Sequence, residues 1–503
     1  MIDKSGALKS VSLLALLRSA DDLRSVVGGS PGEQVALIEF LLAICYASGT
    51  YPDSSRQWLD RVDSRHPLDE AADWLADEAD DRWDLFHPDR PLGQNALLAP
   101  FLDRLGTGPA QLVIEHAGDY NQFFDHHHLE HPTPLPAAKA FRALLTQHVY
   151  GLPGRARISG KETLGPAITY LSAGRLGGRI RVVALGETVA ETLRLNLAPM
   201  SGGPGDFNYS WTTGPVGRRA FDRRPPGRAV TGPADLHSYL GRSVVLRPAP
   251  GPDGTGVVVD RVLIGAGELL ELDPDLHLQD AVFVETRDGE RKPLWPSPTR
   301  ALWRDAHALY AAVTDQRQDL YGRLALLSRT SWPGTRPISL LAVGLVANKT
   351  TPISWVSGHF PFAPSLTAEL HLASYNGSGI AEHVARSLNR AAYAAWEIAY
   401  PNPKPSDRTA QLARFDARGE HWQATEEPFH ILLEDTADSG SPQAPLLAYA
   451  RTLSTAAHRF LTKRLDSMPR NAQGSRARSI ALRRLDDELY GPSAPAELRE
   501  VRP

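Results

Sequence analysis

From about residue 366 onward, apolar residues return at helical spacing four times, over roughly 378–399, 406–435, 443–467 and 474–489, with proline, glycine and serine turns between. An amphipathic helix must bury one stripe. Four in succession, joined by short turns, bury theirs against one another as an antiparallel four-helix bundle. No other tract limits the fold so firmly, and it sets a division into residues 1–365 and 366–503.

The first part reads differently. Two helices are expected between Leu8 and Ala47, separated by the GGSPGE turn, and a third over 135–151, where LPAAKAFRALLTQHVYG ends on Gly151. Of the chain's 41 glycines and 40 prolines, many cluster between about 150 and 300, so that region should be loops and short strands. IRVVAL (180–185), SVVLRPA (243–249), TGVVVDRVLIGA (255–266) and DAVFVET (280–286) each read as a strand. Their spacing is too irregular for a doubly wound sheet. The fold class expected is therefore α+β: a large mixed α/β N-terminal domain, then the bundle.

Composition excludes several functions. A net charge of −4 over 503 residues cannot coat a nucleic acid, so such contacts must come from local basic patches. The single cysteine, Cys45, lies in the apolar run LIEFLLAICYA and can form no internal disulfide, which fits a reducing cytoplasm. No secretory signal and no run of about 18 apolar residues is present, so a cytoplasmic protein without a membrane partner is expected. The acidic run 56–84 carries Trp74, Leu75 and Trp83 at positions able to face a core and reads as solvated helix faces.

Catalytic constellations are scarce. FFDHHHLEH (123–131) has the composition of a metal site, and a metal-dependent hydrolase or nuclease using the His126–His131 cluster is the alternative function. It lacks the HExxH spacing, and adjacent histidines in extended chain point to opposite sides. Exposed loop histidines are the expectation. There is no GxSxG, and GRLGGR (174–179) lacks the ending of a phosphate loop. Neither an enzyme nor a cofactor is expected.

What remain are glycine loops interleaved with arginine. GLPGRARISGK (151–161) carries Arg155, Arg157 and Lys161, and SAGRLGGRIR (172–181) carries Arg175, Arg179 and Arg181. Glycine lets backbone approach a groove, and arginine neutralises phosphate. GRRAFDRRPPGR (217–228) adds five arginines suited to phosphates or an acidic protein face. In VGLVANKTTPISW (343–355) an apolar run ends in Asn348, Lys349, Thr350 and Thr351, a tight polar turn.

The order of motifs is more telling than any one of them. RWDLFHPDRPLGQ, FFDHHH, ALLTQHVYGLPG, RVVALGETVAETLRLNLAP, GPADLHSYLGRSVVLRP and PLWPSPTRALWR together resemble the large subunit, CasA, of type I-E CRISPR surveillance complexes (Cascade). The resemblance implies a non-catalytic subunit that recognises the protospacer-adjacent motif in double-stranded DNA, helps open the duplex for guide RNA pairing and recruits a helicase-nuclease in antiviral defence. It implies as partners the target DNA, the CRISPR RNA 5′ end, and the backbone, small and RNA-handle-binding subunits. It places a motif-reading glycine loop on Gly151, Gly154 and Arg155, with Gly165 and Thr169 as a second registration. It puts a strand-separating wedge on Asn348, Lys349 and Thr350, with threonine where glutamine is usual. It assigns Phe123, Phe124 and His126 to a loop contacting RNA and neighbouring subunits. A lysine contact ahead of the LWP motif has no counterpart in HLQDAVFV (277–284), and one cysteine cannot supply the paired-cysteine zinc element of some relatives.

Overall fold

Ser30 accepts a hydrogen bond from the Glu33 amide and Pro31 follows it, a sequence that starts a helix; α1, Pro31–Ala47, results. It is buried on nearly every side, including Val35, Ile38, Leu41, Leu42, Ile44 and Cys45, so it is the central helix of its core rather than a surface helix. This computed structural model describes the chain except at residues 79, 117–132, 157–168, 201, 212–226, 253, 255, 279, 286–290, 315–319 and 330–337. Two compact units result: residues 1–301 with 316–359, and residues 302–315 with 360–503.

In the first unit α1 is joined by α2, Ala137–Tyr150, and α3, Val189–Asn196. Two three-stranded sheets accompany them. The strands are β1 (Leu135–Pro136), β2 (Gly154–Arg155), β3 (Tyr170–Leu171), β4 (Ile180–Leu185), β5 (Arg242–Pro250), β6 (Val257–Ala266), β7 (Ile338–Asn348) and β8 (Thr351–Phe362). One sheet runs β8-β7-β4, with β7 and β4 antiparallel from Ser339↔Leu185 to Gly344↔Ile180. The other runs β1-β6-β5, with β5 and β6 in register from Arg242↔Ala266 and a shift between Arg247 and Pro248. The short pair β2–β3 closes the glycine loop, since Gly154 pairs with Leu171 and Arg155 with Tyr170.

Several of the sequence motifs turn out to hold this unit together. Gln94 of the HPDRPLGQ box donates to the Leu85 carbonyl (2.6 Å) and accepts from the Leu246 amide (2.8 Å), tying the box to β5. Asn196, ending α3 in ETLRLNL, accepts from the Ala184 amide (3.1 Å) and donates to the Ala184 carbonyl (2.7 Å), satisfying the edge of β4. In the acidic run Leu75 is buried, and the rings of Trp74 and Trp83 meet edge to face at 5.8 Å against the core, as the helix-face reading predicts.

The second unit carries α4 (Thr367–Ala399), α5 (Arg418–Ser439), α6 (Gln443–Leu465) and α7 (Ala472–Tyr490). Helix α4 packs on α5, α6 and α7, and α6 packs on α5 and α7, which fits the expected four-helix bundle. Leu370, Leu388, Phe429, Leu433, Leu453, Leu461 and Leu485 fill the seam.

Two helix bounds differ from expectation. Helix α4 begins 11 residues earlier than 378, through a stretch in which Ser374, Asn376 and Gly377 lower helix propensity. The expected helix over 406–435 is two, Arg408–Ala413 and α5, separated where Asp416 accepts from the Arg418 amide at 3.0 Å. Strand IRVVAL has the bounds read from sequence, whereas DAVFVET shortens to Phe283–Glu285.

Candidate nucleic-acid interface

The glycine loop and the polar turn, nearly 200 residues apart in sequence, meet. Strands β7 and β8 are joined by the two-residue turn Lys349–Thr350, and Lys349 has φ +56°, the left-handed backbone that such tight hairpins require. Asn348, Lys349 and Thr350 are all exposed. A Cβ placed on Gly154 would lie 3.1 Å from Thr350 Cγ2, a few tenths of an ångström closer than ordinary contact, so the loop passes close against the turn. Gly154, Arg155, Thr350 and Pro352 line one cavity of about 380 Å³, together with Gln111, Gln147 and Arg242.

The hairpin is braced from below. Trp355 on β8 donates its indole N–H to Glu115 Oε1 (2.5 Å) and meets Tyr150, the last residue of α2, edge to face at 4.9 Å. The same ring fills the place a side chain on Gly32 would take. The rigid end of α2 therefore positions both the turn and the start of the glycine loop.

His148, in the last turn of α2, is neutral. Its Nδ1 accepts from the Arg242 amide (3.2 Å), which makes Nε2–H the donor to the Gly93 carbonyl (2.8 Å). Burial pushes its pKa down to about 4. The HPDRPLGQ box, α2 and β5 are thereby joined through one imidazole.

Not every expected residue faces this site. Gly151 is buried, with the Arg242 guanidinium where its Cβ would be, and Thr169 is buried with its carbonyl accepting from the Ala156 amide at 2.7 Å. Both shape the loop's base. Gly165, Phe123, Phe124 and His126 lie outside the described residues, as do Arg157 and Lys161. So does the rest of the His126–His131 cluster; among the described residues no group of three or more His, Cys, Asp or Glu side chains is placed to hold a metal ion.

Two of the three arginines of the second glycine loop, Arg175 and Arg181, do not face a phosphate. Arg175 and Arg181 are 3% and 2% exposed and pair with Glu39 of α1 and Asp280. Arg181 Nε stands 2.8 Å from Glu39 Oε1 and 2.9 Å from Asp280 Oδ2, and His237 Nδ1 lies 2.6 Å from Glu39 Oε2. Burial alone would raise the Glu39 pKa; Arg175, His237 and Arg181 together outweigh it and hold the carboxyl well below the usual range. The helix LIEFLLAICYA hides its one acid from sequence reading, because the partners come from 136 and 142 residues away. Arg228, the described end of the arginine-rich segment, is likewise taken by Asp235 (2.7 Å) and Glu268 (2.9 Å).

Among the described residues no helix is long and apolar enough to cross a membrane. The family model for CRISPR-associated protein Cse1 matches residues 1–460. A comparison with curated protein sequences finds no match. Among solved structures, CasA of Thermus thermophilus superposes with a TM-score of 0.75 at 20% identity, covering 97% of each chain. Cse1 from Acidimicrobium ferrooxidans gives 0.72 at 20% identity over 100% of this chain and 97% of that one. A chain of a CRISPR RNA-guided surveillance complex gives 0.70 at 21% identity over 96% of each. These likenesses establish the fold.

Proposed function

Because the chain belongs to the CRISPR-associated Cse1 family, we propose that it is the non-catalytic large subunit of a type I-E Cascade complex, recognising the protospacer-adjacent motif and helping to open the duplex. The observation that carries this reading is the convergence of Gly154 and Arg155 on one cavity with Thr350, the last residue of the exposed Asn348–Thr350 turn.

The chemistry suits the task in two steps. The minor groove offers a degenerate hydrogen-bond pattern and little width, so a reader needs exposed backbone and small side chains, which the Gly154 strand supplies. Arg155, exposed beside it, contacts phosphate and fixes the register without reading sequence. Asn348, Lys349 and Thr350 then press between base pairs, where each unstacked step costs roughly a few kcal/mol and inserted groups must offset it. Thr350 is shorter than glutamine, so Lys349 carries more of the wedge. Once strands part, pairing with the guide RNA reads the sequence, a division of labour known in another RNA-guided system.

Phe123, Phe124 and His126 are assigned in this reading to the contact with the 5′ end of the CRISPR RNA and neighbouring subunits; a ring stacked on a base contributes roughly 1–3 kcal/mol. The other Cascade subunits and the helicase-nuclease complete the set of partners in the cytoplasm. The test is binding of the reconstituted complex, at fixed salt, to target duplexes with the motif, without it, and with the protospacer already unpaired. Lys349→Ala with Thr350→Ala should weaken binding to the intact motif-bearing duplex about tenfold or more and leave the pre-opened duplex bound as in the wild type. Equal loss on both substrates, or on neither, removes the wedge assignment.

A further inference from the structure

Arg242, the first residue of β5, is 2% exposed, and no carboxylate lies within ion-pair distance of it among the described residues. A buried charge left unpaired is costly, so its surroundings must compensate. At the two terminal nitrogens they do so with backbone oxygens alone, while the buried Nε has no partner. Nη1 donates to the carbonyls of Ser172 (2.7 Å) and Gly241 (2.8 Å), and Nη2 donates to the Leu152 carbonyl (2.7 Å). Leu152 and Ser172 are the residues just before and just after the stretch that carries Gly154, Arg155 and the β2–β3 pair.

One planar cation thus holds both ends of the glycine loop against the sheet. The fork geometry of guanidinium suits this, because two nitrogens reach two carbonyls at fixed separation, which an ammonium cannot do. Gly151 fits between this cation and the helix end: a Cβ there would stand 2.4 Å from both Nη2 and the Gln147 carbonyl oxygen. The backbone of Arg242 is in turn fixed by His148. Burial lowers the Arg242 pKa to about 10, which leaves it charged at neutral pH.

We propose that Arg242 is a positioning residue for motif recognition: its guanidinium clamps Leu152 and Ser172 so that Gly154 and Arg155 stand opposite the Asn348–Thr350 turn. This rests on the reading of that pair as the DNA-facing site. Arg242 touches no DNA itself; it acts through the loop.

The test uses the complete reconstituted complex carrying Arg242→Met or Arg242→Lys, and reads the ratio of affinities for motif-bearing and motif-lacking duplexes together with affinity for single-stranded target. Hydrogen exchange at Ala156, whose amide bonds the Thr169 carbonyl at 2.7 Å, reports loop closure. Arg242→Met should cut the ratio about tenfold, speed exchange at Ala156 and leave single-strand binding unchanged; Arg242→Lys should cut it less, since it keeps the charge but cannot span both carbonyls. If Arg242→Met fails to assemble, Arg242→Lys decides alone: a wild-type ratio overturns the proposal. A wild-type ratio in both variants, while Gly154→Asp abolishes it, overturns the clamp but keeps the DNA-facing site. Loss in none of them, Gly154→Asp included, overturns the site itself.

Discussion

The two compact units stabilise themselves by different means. The bundle unit meets along a seam of leucine, alanine and phenylalanine, in which Leu388, Leu453 and Leu485 are fully buried. The mixed α/β unit places charges at its centre: Glu39 with Arg175, Arg181 and Asp280, and Arg242 among carbonyls. An apolar seam tolerates sliding and substitution, whereas hydrogen-bonded charges accept one arrangement only. The unit that must hold two loops in register is the one built on directional contacts. The charges of the first unit fix which segments lie together, because each guanidinium and carboxylate finds its partners only in that arrangement.

Removing one partner of the buried network should have the largest effect. Glu39→Ala leaves Arg175 and Arg181 facing only Asp280, and breaking such a pair costs about 3–5 kcal/mol. Denaturant unfolding followed by hydrogen exchange should place that loss in residues 1–301 and 316–359 and leave α4–α7 protected as in the wild type. Spread of the loss over both units would break the comparison.

Leu453→Ala, in the bundle, should cost about 3 kcal/mol through lost burial and the cavity left behind. Discrimination between motif-bearing and motif-lacking DNA should not change.

Acid should weaken both units, because each buries a neutral histidine. His148 and His421 are both lowered to about 4, chiefly by burial, from an ordinary value near 6.5. The unfolded chain binds protons first as pH falls. Stability is therefore full above pH 6.5 and declines as pH drops toward 4, by up to roughly 3 kcal/mol for fully buried His148. Unfolding midpoints between pH 7 and pH 4 measure this, and His148→Gln should flatten the part belonging to the first unit.

Smallest is the turn. Lys349 holds a left-handed backbone at φ +56°, which costs an L residue about 1 kcal/mol, so Lys349→Gly should stabilise the hairpin by up to that amount while weakening duplex opening. Opposite signs on the two readouts are the outcome that separates wedge from scaffold.

What could be read in the sequence follows the same divide. Local periodicity revealed IRVVAL as a strand and the bundle helices, because each needs only near neighbours. It missed the first turns of α4 from Thr367, where Gly377 lowers propensity but lets α5 pack close: a Cβ there would come within 2.6 Å of Leu432 Cδ2 on α5. The polar tip Asn348–Thr350 stood out as the end of an apolar run, and its meeting with Gly154 did not, since no local pattern encodes a contact across so much chain. The arginines of SAGRLGGRIR misled for the same reason. Their charge was visible and Glu39, buried inside an apolar helix, was not.

The central claim is that Gly154–Arg155 and the Asn348–Thr350 turn act on DNA as one site. A double-mutant cycle of Arg155→Ala and Lys349→Ala, measured as affinity of the reconstituted complex for a motif-bearing duplex at fixed salt, tests it most directly. We expect the two losses to be non-additive by at least about 0.5 kcal/mol on the motif-bearing duplex and additive on DNA lacking the motif. Strictly additive losses on the motif-bearing duplex, or the same coupling on both DNAs, would contradict the account.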